Sequence, residues 1–192
     1  MKLSHYLKRV EESPEYKKFK GEHKKAYLSA GFFVLDYETN KHLHQIDFFI
    51  PGKKKIATFK LEQGITFQIS DTFKLKKTPE EIKGDSQIDL EALKGIVHDE
   101  MMNRTVTQDV KKIIAVLQQE NGKKVWRLNC ITGDLGIIKV DVDDAGGNVL
   151  DFEKANLFDM MKMVKTGDLA KGVKMPQQNI KPDASSNIPK KG

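Results

Sequence analysis

Asn121-Gly122 stands between two runs rich in apolar and branched residues, KKIIAVLQQE before it and KVWRLNCIT after it. An Asn-Gly pair accepts the positive backbone angles of a two-residue loop, so this arrangement predicts an antiparallel hairpin. Gly133-Asp134-Leu135-Gly136 and the stretch Asp144 to Gly147 then separate two further runs, IIKVDVD and VLDFE. The prediction is a meander of four short strands.

The front of the chain repeats that plan. Ser13 can cap the free amides at a helix start, and Pro14 is tolerated at the first helical position, so a short helix is expected over 14–25. YLSAGFFVLDYE follows, then a turn at Glu38-Thr39-Asn40-Lys41, HLHQIDFFI, a turn at Pro51-Gly52, KKIATFKLE, Gly64, and ITFQIS. In the last run Ile65, Phe67 and Ile69 alternate with Thr66, Gln68 and Ser70, the period of a strand with one buried face. Residues 71–87, polar and broken by Pro79 and Gly84, read as a connection. Asp89 is expected to cap a helix carrying Leu90, Leu93, Ile96, Val97 and Met101 at helical spacing. A last helix is expected from Ala155 to about Val164.

The fold class expected is α+β, in two similar halves, each a helix packed on a curved antiparallel sheet. The boundaries drawn are 1–70 for the first half, 71–88 for a linker, 89–166 for the second half with its closing helix, and 167–192 for a disordered basic tail. Three of the six prolines, Pro176, Pro182 and Pro189, fall in that tail among polar residues. Such a segment has too little apolar surface to offset its ordering entropy.

Charge is uneven along the chain. Residues 1–26 hold eight Lys/Arg and four Glu (+4), and 161–192 hold seven Lys and two Asp (+5). The remaining residues hold 18 basic and 21 acidic side chains (−3), so the overall +6 comes from the ends. A basic tail gives salt-sensitive attraction to phosphate without sequence reading, unlike a basic folded face. Lys8 and Arg9 interrupt the N-terminus before an export signal's apolar stretch can form, and no run reaches the length of a membrane helix, so the expected compartment is the cytoplasm. A single cysteine excludes an internal disulfide and multi-cysteine metal sites.

The order of helix, strand, Asn121-Gly122-Lys123-Lys124, Val125-Trp126-Arg127-Leu128, Val140-Asp141-Val142-Asp143 and Gly147-Asn148-Val149-Leu150 resembles PepSY-type domains over about residues 89–153. The resemblance implies a PepSY/cystatin-like helix and small sheet, and an inhibitory or chaperone-like role. Those domains are commonly exported or membrane-attached, which differs from the compartment expected here. SPEYKKFKGEHKKAYLSAGFFVLD at the front resembles small uncharacterised archaeal proteins, and that likeness implies no activity.

Each candidate for chemistry has a plainer reading. Asp141, Asp143, Asp144 and Gly146 begin like a calcium loop, but Ala145 and Phe152 occupy positions that need oxygen ligands, so a hairpin turn is expected. His42 and His44, two apart in an expected strand, share a face and lack an identifiable third metal donor. Cys130 alternates with Trp126 and Leu128 toward the expected core and has no neighbouring activator of a thiolate. Trp126 is read as core before stacking platform. Met101, Met102, Met160, Met161 and Met163 are read as filling between helix and sheet rather than lining an adaptable groove. Lys53, Lys54 and Lys55 tip a hairpin where they can meet phosphate or simply solvate the turn.

No phosphate loop, nucleophile elbow or dinucleotide fingerprint is present. The expected function is a non-enzymatic binding or regulatory module for an unidentified protein or peptide, without cofactor or metal. The alternative is an RNA- or ribosome-associated protein held by its basic ends, through the N-terminal lysines with Lys162, Lys165, Lys171, Lys174, Lys181, Lys190 and Lys191. A weaker alternative is a small-molecule-binding protein or enzyme with a pocket in one curled sheet.

Overall fold

The structure is a computed structural model that describes residues 1–71, 77–134 and 136–156. Helices α1 (Leu3–Glu12) and α2 (Pro14–Glu22) lead into strands β1 (Tyr27–Asp36), β2 (Leu43–Ile50), β3 (Lys55–Lys60) and β4 (Thr66–Asp71). Helix α3 (Ala92–Asn103) leads into β5 (Val110–Glu120), β6 (Lys123–Thr132), β7 (Gly136–Asp143) and β8 (Val149–Asn156). All eight strands belong to one antiparallel sheet in the order β4-β3-β2-β1-β5-β6-β7-β8. The expected α+β class with antiparallel strands holds. The separate sheet expected for each half is replaced by one sheet, because β1 and β5 pair from Ala30↔Gln118 to Asp36↔Lys112. An unpaired first strand leaves a row of unmet backbone groups, and each supplies what the other lacks.

Alternation along the strands divides the sheet into two faces. Phe33 and Leu35 of β1, Ile46 and Phe48 of β2, Ala57 and Phe59 of β3, Ala115 and Leu117 of β5, Trp126 and Leu128 of β6, and Val140 and Val142 of β7 point one way and are buried. The helices cover this face with Leu3, Tyr6 and Val10 of α1, Phe19 of α2, and Leu93, Val97 and Met101 of α3, all in one apolar cluster. Phe33, 1% exposed, bridges the two meanders, with its ring centroid 5.2 Å from Tyr6 and 5.9 Å from Trp126. The opposite face carries ion pairs, among them Lys112–Asp36 at 3.0 Å, Lys139–Glu153 at 3.0 Å and Arg127–Asp141 at 3.5 Å. Gly31 sits under α1, where a Cβ would come within 2.8 Å of Phe33 and 3.1 Å of Leu3, so close approach of helix to sheet requires glycine there.

The hairpin turns follow their residues. Asn121 and Gly122 have φ of 51° and 77°, as a two-residue loop of this kind demands. In the β1–β2 turn, Asp36 accepts from the amides of Glu38 and Thr39, both at 3.0 Å. The Thr39 amide and then Lys112 hold its carboxyl far below the usual range. Ser13 accepts from the Tyr16 amide at 3.1 Å and donates to the Val10 carbonyl at 2.6 Å, so one hydroxyl caps α2 and closes α1.

Several boundaries differ from expectation. Helix α1 was not anticipated, although Leu3, Tyr6 and Val10 have helical spacing. Helix α3 starts at Ala92 with Glu91 at its N-cap and no side-chain cap. Asp89 instead gives its carbonyl to the Ala92 amide. The helix expected over 155–164 is corrected at its start, since Ala155 and Asn156 continue β8; the remainder lies outside the described residues. So does the tail expected over 167–192.

The stretch between the meanders is pinned at many points. The Ile82 amide bonds the Leu28 carbonyl at 2.9 Å, and the Tyr27 hydroxyl donates to the Pro79 carbonyl at 2.8 Å. Glu80 accepts from the Asn121 and Gly122 amides at 2.8 and 3.0 Å; the Gly122 amide first, then that of Asn121, hold its carboxyl below the ordinary range. Ser86, fully buried, accepts from the Leu3 amide at 3.0 Å. These bonds make the connection a strap that ties α1, β1 and the β5–β6 turn together.

Candidate functional site

The sheet ends on β4 at one side and β8 at the other. Strand β4, Thr66 to Asp71, pairs with β3 in the register Thr58↔Gln68 and Phe59↔Phe67. Every β4 residue except Phe67 is exposed, and Ile69 keeps 39% of its surface in water. Phe67 is held by stacking on Phe59, with centroids 5.1 Å apart and planes 16° off parallel. The single charge of the strand, Asp71, is paired with Lys55 at 3.1 Å. Thr66 to Ser70 is therefore uncharged, free of proline and open along its outer side among the described residues. Protected edges carry charges, prolines or bulges that obstruct pairing. The stretch from Thr66 to Ser70 has none of these, whereas β8 carries Asp151, Glu153 and Lys154.

A second feature is a cleft of about 320 Å³ between α1, α2, the start of β1 and the strap. Leu7, Leu28, Phe48 and Ile82 form much of its lining. Several of its polar groups are committed to the scaffold. Asp85 accepts from the amide and hydroxyl of Ser4 at 2.8 and 2.7 Å, and Lys20 donates to the Ala26 carbonyl at 2.6 Å. A catalytic cleft requires polar groups converging on a substrate. Here Ser4, Asp85 and Lys20 bond the protein itself.

The residues singled out from sequence separate widely. Lys53 and Lys54 lie in the β2–β3 turn and Lys55 opens β3, where its ammonium is drawn to Asp71. His42 precedes β2 rather than lying in it; its Nδ1 accepts from the Asp36 amide at 3.2 Å. His44 stacks on Tyr6 at 4.7 Å and its Nδ1 lies 3.2 Å from Glu62 Oε1. The two rings are 6.5 Å apart, and among the described residues no group of three or more His, Cys, Asp or Glu gathers around a metal position. Cys130 is fully buried, and burial pushes its thiol up to about 12. A thiol held neutral in this way is a small hydrophobe.

Trp126 is 1% exposed and packs in the core, leaving no face for a base. Asp141 pairs with Arg127, and Asp144 is buried against Trp126, so the 141–146 segment spends its carboxylates on the protein itself. Met101 is buried under α3 while Met102 is 60% exposed. Met160, Met161, Met163, Lys162, Lys165, Lys171, Lys174, Lys181, Lys190 and Lys191 lie outside the described residues. The open edge escaped sequence reasoning: alternation in ITFQIS reveals a strand, but a strand's place in the sheet is set by long-range pairing.

Among the described residues no helix is long and apolar enough to cross a membrane. No family model and no curated protein matches the sequence. Among solved structures, the chain is similar to a candidate lipoprotein from Clostridium difficile 630, with 14% identity and a TM-score of 0.51, over 72% of this chain and 89% of that one. At that identity the likeness is one of fold.

Proposed function

We propose that this chain is a non-enzymatic binding module that takes up an extended segment as an added strand along β4. The observation that carries the reading is the exposed, uncharged edge from Thr66 to Ser70. An incoming strand meets the outer backbone groups there, which no other described strand pairs, and its alternate side chains fall beside Phe67 and Ile69 on one face and Gln68 on the other. The PepSY-like character of residues 89–153 belongs to the same proposal, as does the view of the chain as two copies of one plan. The order of α3 followed by β5 to β8, after α2 followed by β1 to β4, supports both. We place the protein in the cytoplasm; recovery in a membrane fraction would instead align it with its lipoprotein neighbour.

Affinity capture from cell extract, with and without nuclease, tests the binding reading. Bait proteins are the full chain, Gln68→Lys and Ile69→Lys, the two substitutions placing a charge on the edge. Captured protein should be lost with both variants and should survive nuclease. Capture that ignores both substitutions refutes the reading, and capture abolished by nuclease favours the RNA-associated alternative.

A further inference from the structure

We infer that the strand which adds to β4 is the β4 of a second copy of this chain, giving a two-fold dimer in which two eight-stranded sheets join edge to edge. The inference rests on the binding reading of this edge and names its occupant. A two-fold axis normal to the sheet keeps both helix-covered faces on one side, so residues that meet across the junction must point the same way. Pairing centred on Gln68 satisfies this. It places Gln68 opposite Gln68 of the second copy, Phe67 opposite Ile69, and Thr66 opposite Ser70.

Phe67 and Ile69 lie on the helix-covered face, since their β3 partners Phe59 and Ala57 are buried there. The junction therefore continues the apolar layer and covers Ile69, one of the few large apolar side chains left exposed. On the other face two Gln68 amides meet, each able to donate and accept. No like charges oppose one another in this register, because Asp71, facing Ile65, is neutralised by Lys55.

The other edge provides the contrast. Strand β8 paired with itself about Asp151 sets that acid against itself, and about Phe152 sets it opposite Glu153, whose partner Lys139 at 3.0 Å offsets only part of the repulsion. Like charges directly opposite are destabilising. Self-pairing is thus favoured at β4 and opposed at β8. Six-residue edges form a small interface, so the dimer should be reversible, with a dissociation constant on the order of 10–100 µM.

Sedimentation equilibrium of the full chain over a concentration series tests this. The weight-average mass should rise from 21.8 kDa toward twice that value as concentration passes through the dissociation constant. Gln68→Lys and Ile69→Lys should remain at 21.8 kDa, while Lys154→Glu on β8, which adds a further acid to that edge, should associate as the wild type does. Far-UV circular dichroism and melting temperature establish that the variants fold; should Ile69→Lys fail to fold, Gln68→Lys decides, its side chain lying on the open face. A wild-type mass that never leaves 21.8 kDa overturns the inference, as does association undiminished in Gln68→Lys or abolished by Lys154→Glu. A monomeric wild type whose captured partner is still lost with Gln68→Lys refutes self-pairing and leaves the binding reading standing. Association through β4 combined with capture that ignores both edge variants does the reverse.

Discussion

The indole N–H of Trp126 donates to Asp144 Oδ1 at 2.9 Å inside the core, with Asp144 only 1% exposed. The same carboxylate accepts from the amides of Gln87 at 2.9 Å and Ile88 at 3.3 Å, and Lys124 Nζ lies 3.8 Å away. One side chain in the β7–β8 turn thus satisfies a buried indole and anchors the strap between the meanders. A buried carboxylate is tolerated only when it is paired and hydrogen-bonded in this way.

Asp144→Ala should leave three donors without an acceptor, the Trp126 indole and the Ile88 amide buried and the Gln87 amide partly so. Each unmet donor costs about 1–3 kcal/mol, and strap relaxation relieves part of that, so a loss of about 3–5 kcal/mol is expected. Asp144→Asn keeps one acceptor oxygen and should lose about half as much. Urea denaturation midpoints read the difference, and a neutral Asp144→Ala would show that water replaces the carboxylate.

Stability should fall on acidification through His44. Burial against Tyr6 and Phe33 pushes its imidazole below the ordinary 6.5, while the Glu62 carboxylate opposes that shift and His42 and Arg9 reinforce it. The unfolded chain then takes up a proton more readily than the folded one. This contribution is complete above about pH 6.5 and is lost as pH drops through the folded value. His44→Gln should flatten the decline of denaturation midpoint between about pH 7 and 5; an unchanged slope would assign the decline to other groups.

The basic tail provides a separate expectation. Deleting residues 167–192 removes five Lys and two Asp, a change of −3 in net charge. Any binding to nucleic acid should then show a shallower dependence on salt, because fewer counterions are released. The melting temperature should stay where it is, since a segment poor in apolar residues has little burial to lose. A fall of several degrees would show that the tail docks on the fold.

Local chemistry in the sequence reaches far into this fold. Alternation in ITFQIS, the Asn121-Gly122 loop and the Ser13-Pro14 helix start each involve neighbours within a few residues, and each forms where its pattern lies. Helix α1 was legible too, since Leu3, Tyr6 and Val10 recur at helical spacing along its buried side. The strap was not legible, because Ser86 to Leu3 and Asp144 to Gln87 are bonds across 83 and 57 residues that leave no period. The joining of β1 to β5, and with it the exposure of β4, is equally non-local. A candidate site made from the edge of a sheet is therefore the part that a sequence conceals most.

Hydrogen–deuterium exchange with a synthetic Ile65–Asp71 peptide, at a chain concentration below self-association, tests most directly whether β4 accepts a strand. The peptide should slow exchange of the amides of residues 66–71, leave β8 unchanged, and lose its effect on Gln68→Lys. Exchange at 66–71 that the peptide does not alter, or slowing confined to residues 149–156, would contradict β4 as the binding edge.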